Sequence, residues 1–265
     1  MQPPQRSYDF DYLMFAQHWI ASACLLANAE QADSCVVPPQ TTDTWSIHGL
    51  WPSRLTGSAP VFCHTADSKF NWTLIKPLES QLLAGWPNIV RGEAETDFWA
   101  YEWKKHGACA EALPALNSEY NYFFHALLLR QQLDLKKMLS SSNIVHSSSQ
   151  QYATRSFEAA VQKVTSKRPK LECNKDKQNQ WYIASIRICI DKSLQPIDCP
   201  RSTNGPPRPR WRGTKLPQNY PCPATALLRY PSPPTNEAVS LKVAFLPHLG
   251  VFWRSDAGKR TFYDV

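Results

Sequence analysis

Two short stretches of the chain concentrate side chains that exchange protons and carry charge. One is Phe98-Trp99-Ala100-Tyr101-Glu102-Trp103-Lys104-Lys105-His106-Gly107-Ala108-Cys109, and the other is Trp45-Ser46-Ile47-His48-Gly49-Leu50-Trp51-Pro52. Wound as an α-helix, the first places Phe98, Glu102, Lys105, His106 and Cys109 within one arc of roughly 100°. An acid, a base and a cation then share a face beside an aromatic ring. Taken alone, this is an ordinary Glu–His pair on a helix surface. His48 changes the reading. Two imidazoles divide a proton transfer, one taking a proton from a nucleophile and the other supplying one to the leaving group, each role worth about 10²–10⁴-fold in rate. Lys105 suits the charge that builds on a phosphoryl oxygen. The set fits phosphodiester cleavage that needs no metal and no cofactor, with a ribose 2′-OH as the nucleophile. Trp51 and Phe98 flank the two stretches as candidates for stacking on bases. A metal site on His48, His106 and Glu102 is the competing chemistry, but no cysteine pair or HExxH motif supports it.

The elements that must hold these groups follow from pattern. Tyr12 to Trp19 is apolar and aromatic and predicts a buried strand. Trp45 to His48 alternates, so Gly49 is expected to turn the backbone and Pro52 to end the strand, leaving His48 at a strand end on its polar face. The helix at 98–106 would be capped by Thr96 or Asp97, seated on Trp99 and Trp103, and closed by Gly107 in the left-handed region, with Ala100 and Lys104 toward solvent. Leu74 to Ala84 is helical with an interruption at Pro77. Glu119 to Leu139 predicts one long amphipathic helix with Tyr120, Phe123, Phe124, Leu127 and Leu128 inward. Serines 140–142 and 147–149 bracket an expected flexible linker. Thr154 opens a helix with Phe157, Ala160, Val161 and Val164 on one stripe, closed by Pro169. Trp181 to Ile190 is the clearest strand. Residues 196–234 hold 11 of the 22 prolines and the run Arg208-Pro209-Arg210-Trp211-Arg212. They are expected to form an extended loop strapped by Cys199 and Cys222, its arginines and tryptophan tracking a phosphate backbone. Beyond it, Val243 to Leu246 is one apolar run without a motif.

Hydrophobic residues make up 43% of the chain and charged ones 19%, which describes a folded domain with one core. No apolar run approaches the roughly 20 residues of a membrane span. Residues Met1 to Arg6 lack the apolar centre of a signal peptide, so either a leader has been removed or the chain is cytosolic. The eight cysteines, spread out and without a CxxC pair, favour disulfides and hence a secretory or lysosomal setting. On the order of a hundred pairings are open to them, although Cys24 and Cys35 bound a loop short enough for a local bridge. The sequon Asn71-Trp72-Thr73 marks Asn71 for glycosylation. Charge is uneven: residues 1–162 carry 11 Lys and Arg against 15 Asp and Glu, and residues 163–265 carry 18 against 7. A basic half joined to an acidic half predicts an anionic polymer as partner.

The two stretches together resemble the active-site segments of the ribonuclease T2 family, and the likeness extends through Phe15-Ala16-Gln17-His18-Trp19 and the eight cysteines to the Trp181–Cys199 region. The resemblance implies a ribonuclease T2-like α+β fold, an antiparallel β-sheet flanked by helices and stapled by disulfides. It implies a catalytic domain over residues 1–235, leaving 236–265 as an extension of unknown structure. The implied activity is endonucleolytic transesterification of single-stranded RNA through a 2′,3′-cyclic phosphate, with low base specificity, in a secreted or lysosomal monomer. By the same resemblance His106 is the general base, His48 the general acid, Glu102 and Lys105 the transition-state stabilisers, and Trp51, Phe98 and Tyr101 substrate-binding residues. The implied bridges are Cys24–Cys35, Cys63–Cys109, Cys173–Cys222 and Cys189–Cys199. Two positions depart from the family pattern: Tyr101 replaces a phosphate-binding histidine, and Ile20 replaces a proline in what is expected to be a loop. The rival reading is an inactive basic glycoprotein that binds RNA or other anionic polymers through its C-terminal half.

Overall fold

The computed structural model describes residues 9–41, 43–63, 70–200 and 219–233. In order, the chain forms β1 (Tyr12–His18), α1 (Ile20–Glu30), β2 (Ser46–Ser53), α2 (Trp72–Ile75), α3 (Glu79–Gly85), α4 (Glu95–Lys105), α5 (Glu119–Gln132) and α6 (Leu135–Ser140). It continues through β3 (Gln151–Ala153), α7 (Thr154–Thr165), β4 (Lys170–Lys175), β5 (Trp181–Ile190), β6 (Pro196–Ile197), β7 (Tyr220–Pro221) and β8 (Leu227–Arg229). The strands make one sheet whose main path runs β2-β1-β5-β4-β7. Every pairing among the described residues is antiparallel except β5 with β8. β1 lies between β2 and β5 with all seven residues buried, the apolar run Tyr12–Ala16 being followed by Gln17, whose Nε2 donates to Leu133 O at 2.9 Å, and by His18.

Aromatic side chains dominate the core, and several of their polar atoms are tied to backbone or to each other, although the buried Trp86 Nε1 has no partner among the described residues. Trp19 Nε1 donates to Pro231 O at 2.9 Å, Trp45 Nε1 to the Tyr230 hydroxyl at 2.9 Å, and Trp99 Nε1 to Trp86 O at 2.8 Å. The Tyr122 hydroxyl donates to Leu50 O at 2.8 Å, which ties α5 to the strand that carries His48. A buried indole or phenol usually finds such a partner, so these bonds also orient the elements. Four disulfides close Cys24–Cys35, Cys63–Cys109, Cys173–Cys222 and Cys189–Cys199.

Several local expectations are corrected. Pro52 does not end its strand: β2 runs on to Ser53, with Pro52 opposite Leu13. β2 is the outer strand of the path, and there a residue without an N–H is tolerated. The long helix breaks at Leu133 because the Asp134 carboxylate accepts from Lys137 N at 3.0 Å and starts α6 afresh. Tyr120 faces outward and stacks on Phe124, while Tyr122 takes the inward place. Cys24 sits on α1 rather than in a loop. Ile20 is the buried first residue of that helix, packed with Cys24, Ala27, Cys35 and Ile89.

The serine-flanked segment is tied down. Val145 N donates to the Tyr152 hydroxyl, Ser147 N to Tyr230 O, and His146 lies within hydrogen-bond distance of both Asp43 and Ser232. The loop at 208–212, the run at 243–246 and the extension at 236–265 lie outside the described residues. No helix among those described is long and apolar enough to cross a membrane.

Candidate active site

His48 stands at an irregularity in the sheet. Ala16 pairs with Gly49 and Gln17 with Ile47, so His48 is an extra residue on β2 with no partner on β1. A bulge of this kind re-aims a side chain that strict alternation would otherwise place. His48 is therefore at mid-strand, not at a strand end. Its Nδ1 has no hydrogen-bond partner among the described residues. Packing sets the ring instead: it stacks on His18 with centroids 5.2 Å apart and planes 19° apart, and meets Trp51 edge-on at 5.1 Å.

Gly49 is needed for space rather than for a turn. A Cβ there would stand 1.9 Å from Trp51 Nε1 and 2.5 Å from Glu102 Oε2. Those two atoms make the central hydrogen bond of the site, Trp51 Nε1 donating to Glu102 Oε2 at 3.0 Å.

α4 brings the remaining groups. Its start is capped neither by Thr96 nor by Asp97: Ala94 is the N-cap residue and offers no side-chain bond. Instead the Glu95 carboxylate accepts from Asn88 N, and Asn88 Nδ2 donates to Glu93 O and Ala94 O. Trp99 and Trp103 seat the helix on the core, leaving Glu102 and Lys105 buried at 4% and 5% exposure. His106 N closes the last turn on Glu102 O at 2.9 Å, and the chain then passes into a 3₁₀ turn over Gly107–Ala110. Gly107 is not left-handed; a Cβ there would strike the Trp103 ring at 2.4 Å. The Cys63–Cys109 bridge ties down this end of the helix.

Trp51 is the meeting point. Its ring lies 5.1 Å from His48 and 5.4 Å from His106, its N–H holds Glu102, and the Arg187 guanidinium sits over it at 5.2 Å. The structure thus gathers both histidines and the carboxylate, drawn from two segments, around one indole. Phe98 lies one turn before Glu102, half-buried against the core. Tyr101 is at the surface, 37% exposed, with Lys105 Nζ 5.3 Å from its ring centre. Asn71 is exposed at the N-cap of α2, where its Oδ1 accepts from Thr73 N and the Thr73 hydroxyl.

Two further residues at the site belong to neither motif. Arg187 is the lone charge in the apolar strand β5, buried, donating to the Glu172 carboxylate and lying 3.6 Å from Met14 Sδ. His18 ends β1, buried behind His48. A charge or an imidazole inside an otherwise apolar strand was the available signal for both.

Burial shapes the electrostatics. It holds the His48 pKa well below 6.5, helped by His18, Arg187, His106 and Lys105. It lowers that of His18 to about 4. It raises Glu102 to about 7, against the hydrogen bond from Trp51 and the charge of Lys105. At acidic pH the Glu102 carboxyl is therefore protonated, and His48 gains its proton only well into the acid range.

The profile of the Ribonuclease T2 family matches residues 10–199. A ribonuclease T2 protein of Caenorhabditis elegans is 34% identical over 226 residues, 81% of this chain and 80% of its own. Among solved structures, RNase NT in complex with 5′-AMP superposes with a TM-score of 0.67 at 29% identity, covering 84% of this chain and 98% of that one. Human RNase T2 superposes with a TM-score of 0.66 at 29% identity, covering 85% and 100%.

Proposed function

The chain belongs to the ribonuclease T2 family and is an endoribonuclease, and we propose that His106 and His48 divide the acid–base work of cutting single-stranded RNA. His106 takes the proton from a ribose 2′-OH. The freed oxygen attacks the adjacent phosphorus, the bond from phosphorus to the 5′-oxygen breaks, and His48 gives its proton to that leaving oxygen. The product is a 2′,3′-cyclic phosphate, formed without a metal. Lys105 neutralises the phosphoryl oxygens as charge builds on them, and the protonated Glu102 carboxyl donates a hydrogen bond to one of them. Trp51 fixes the spacing of these groups, a role added to the base stacking expected of it. Tyr101 donates a hydrogen bond to phosphate where a histidine would bring charge. The shared packing of His48, His106 and Glu102 against one indole carries this reading.

Four disulfides and the exposed sequon at Asn71 support an oxidising, secretory setting, with a glycan on Asn71. Incubation with CpA or UpG tests the mechanism. Wild type yields the cyclic phosphate, and His48→Phe and His106→Phe yield none. A wild type that binds RNA without cutting it returns the assignment to the inactive binder.

A further inference from the structure

Phe62 combines features that rarely coincide in a structural residue. It is 55% exposed to solvent, and its backbone is in the left-handed region at φ 53°. For a bulky side chain that conformation is strained and persists only where the surroundings enforce it. Here two locks enforce it. Phe62 N donates to Lys105 O at 3.0 Å, at the end of the catalytic helix, and the next residue, Cys63, is bridged to Cys109. The strain hides no apolar surface; it projects the ring outward beside Tyr101. The two rings lie 6.3 Å apart with planes at 75°, and Lys105 Nζ faces the Tyr101 ring at 5.3 Å. A flat ligand on the face of one ring meets the edge of the other, within reach of the cation that serves the phosphate.

We propose that Phe62 and Tyr101 form an aromatic corner that binds one nucleobase of the RNA chain next to the scissile phosphate. The proposal rests on the RNA-cleaving reading above and adds a binding subsite to it. The corner presents ring faces and edges, so it accepts any base and favours the larger purines through stacking strength.

Glycine adopts a positive φ freely, so Phe62→Gly removes the ring and relieves the strain together. Binding is measured by anisotropy with a short oligodeoxyadenylate, which lacks the 2′-OH and cannot be cut. Kd is expected to rise about tenfold in Phe62→Gly, as loss of one stacked base implies. The melting temperature is expected to hold or rise, and Phe62→Trp to restore affinity. On oligoadenylate RNA, KM should rise by more than kcat falls. An unchanged Kd and KM, or a fall in melting temperature with Kd unchanged, would overturn the corner and make Phe62 a cover for the disulfide. A wild type that binds the deoxy probe but cuts no RNA would instead overturn the catalytic reading and leave the corner standing.

Discussion

Gly49→Ala adds one methyl group at the point where the two halves of the site touch. The new carbon would lie 1.9 Å from Trp51 Nε1 and 2.5 Å from Glu102 Oε2, where ordinary contact begins at 3.4 Å. The backbone cannot readily retreat, because Gly49 is paired with Ala16 and its neighbour Leu50 accepts from the Tyr122 hydroxyl. The indole must therefore move by about 1.5 Å, which breaks its bond to Glu102 and shifts the surface against which both imidazoles rest. Overpacking of this kind costs about 1–3 kcal/mol of stability. Misplacing catalytic groups by about 1 Å costs on the order of a hundredfold in rate. The assay pairs kcat/KM for UpG transesterification with urea unfolding. Gly85→Ala is the control, since the atoms its Cβ would meet are the ends of Leu127 and Arg130, and its kcat/KM should stay within twofold of wild type. A Gly49→Ala enzyme that keeps both its rate and its stability would refute the view that this glycine protects the Trp51–Glu102 contact.

Rate should depend on pH with a definite sign. His48 must be protonated to act as the acid and its pKa lies below 6.5, so kcat/KM falls as pH rises, with a limb centred below 6.5; a plateau extending above neutrality in the pH–rate profile would contradict this. Stability carries a second signature. His18 is neutral in the fold with a pKa of about 4, below its unfolded 6.5, so its contribution is full above 6.5 and lost as pH falls toward 4, by up to about 3 kcal/mol. Unfolding curves at both ends of that window should show a smaller acid loss for His18→Gln than for wild type. Removing the Cys63–Cys109 bridge by a double alanine substitution opens a loop of sequence separation 46 and should cost about 4 kcal/mol, read from the urea midpoint. Cleavage of CpA should persist in EDTA, because the proton transfers and charge stabilisation are assigned to side chains; loss of activity on chelation would point to a metal.

What the sequence made legible was local. The buried run Tyr12–His18, the strand Trp181–Ile190 and the span of α4 follow from periodicity; Glu102 and Lys105 lie on that helix, while His106 is its C-cap residue, outside helical geometry and held by the bond from its N–H to Glu102 O. What stayed hidden depends on cross-strand register. Arg187 reaches Trp51 only because β5 pairs with β1, and β1 with β2, in a particular alignment. The bulge at His48 is a mismatch between two strands and leaves no mark on either alone. A glycine after a strand or helix suggests a turn, whereas Gly49 and Gly107 each make room for a tryptophan, a difference visible only once the ring is in place. Phe62 gave no signal, since its meaning lies in a backbone angle held by a hydrogen bond to Lys105.

The strand bearing His48 lies on the rim of the sheet, and that position has a cost besides its use. A rim strand offers main-chain donors and acceptors that another polypeptide can adopt as a template, which is how soluble proteins begin to form fibres. Pro52 supplies no such donor, every other residue of β2 is buried or half-buried, and Leu50 O is taken by the Tyr122 hydroxyl, so the rim that carries His48 is covered rather than left open as a template.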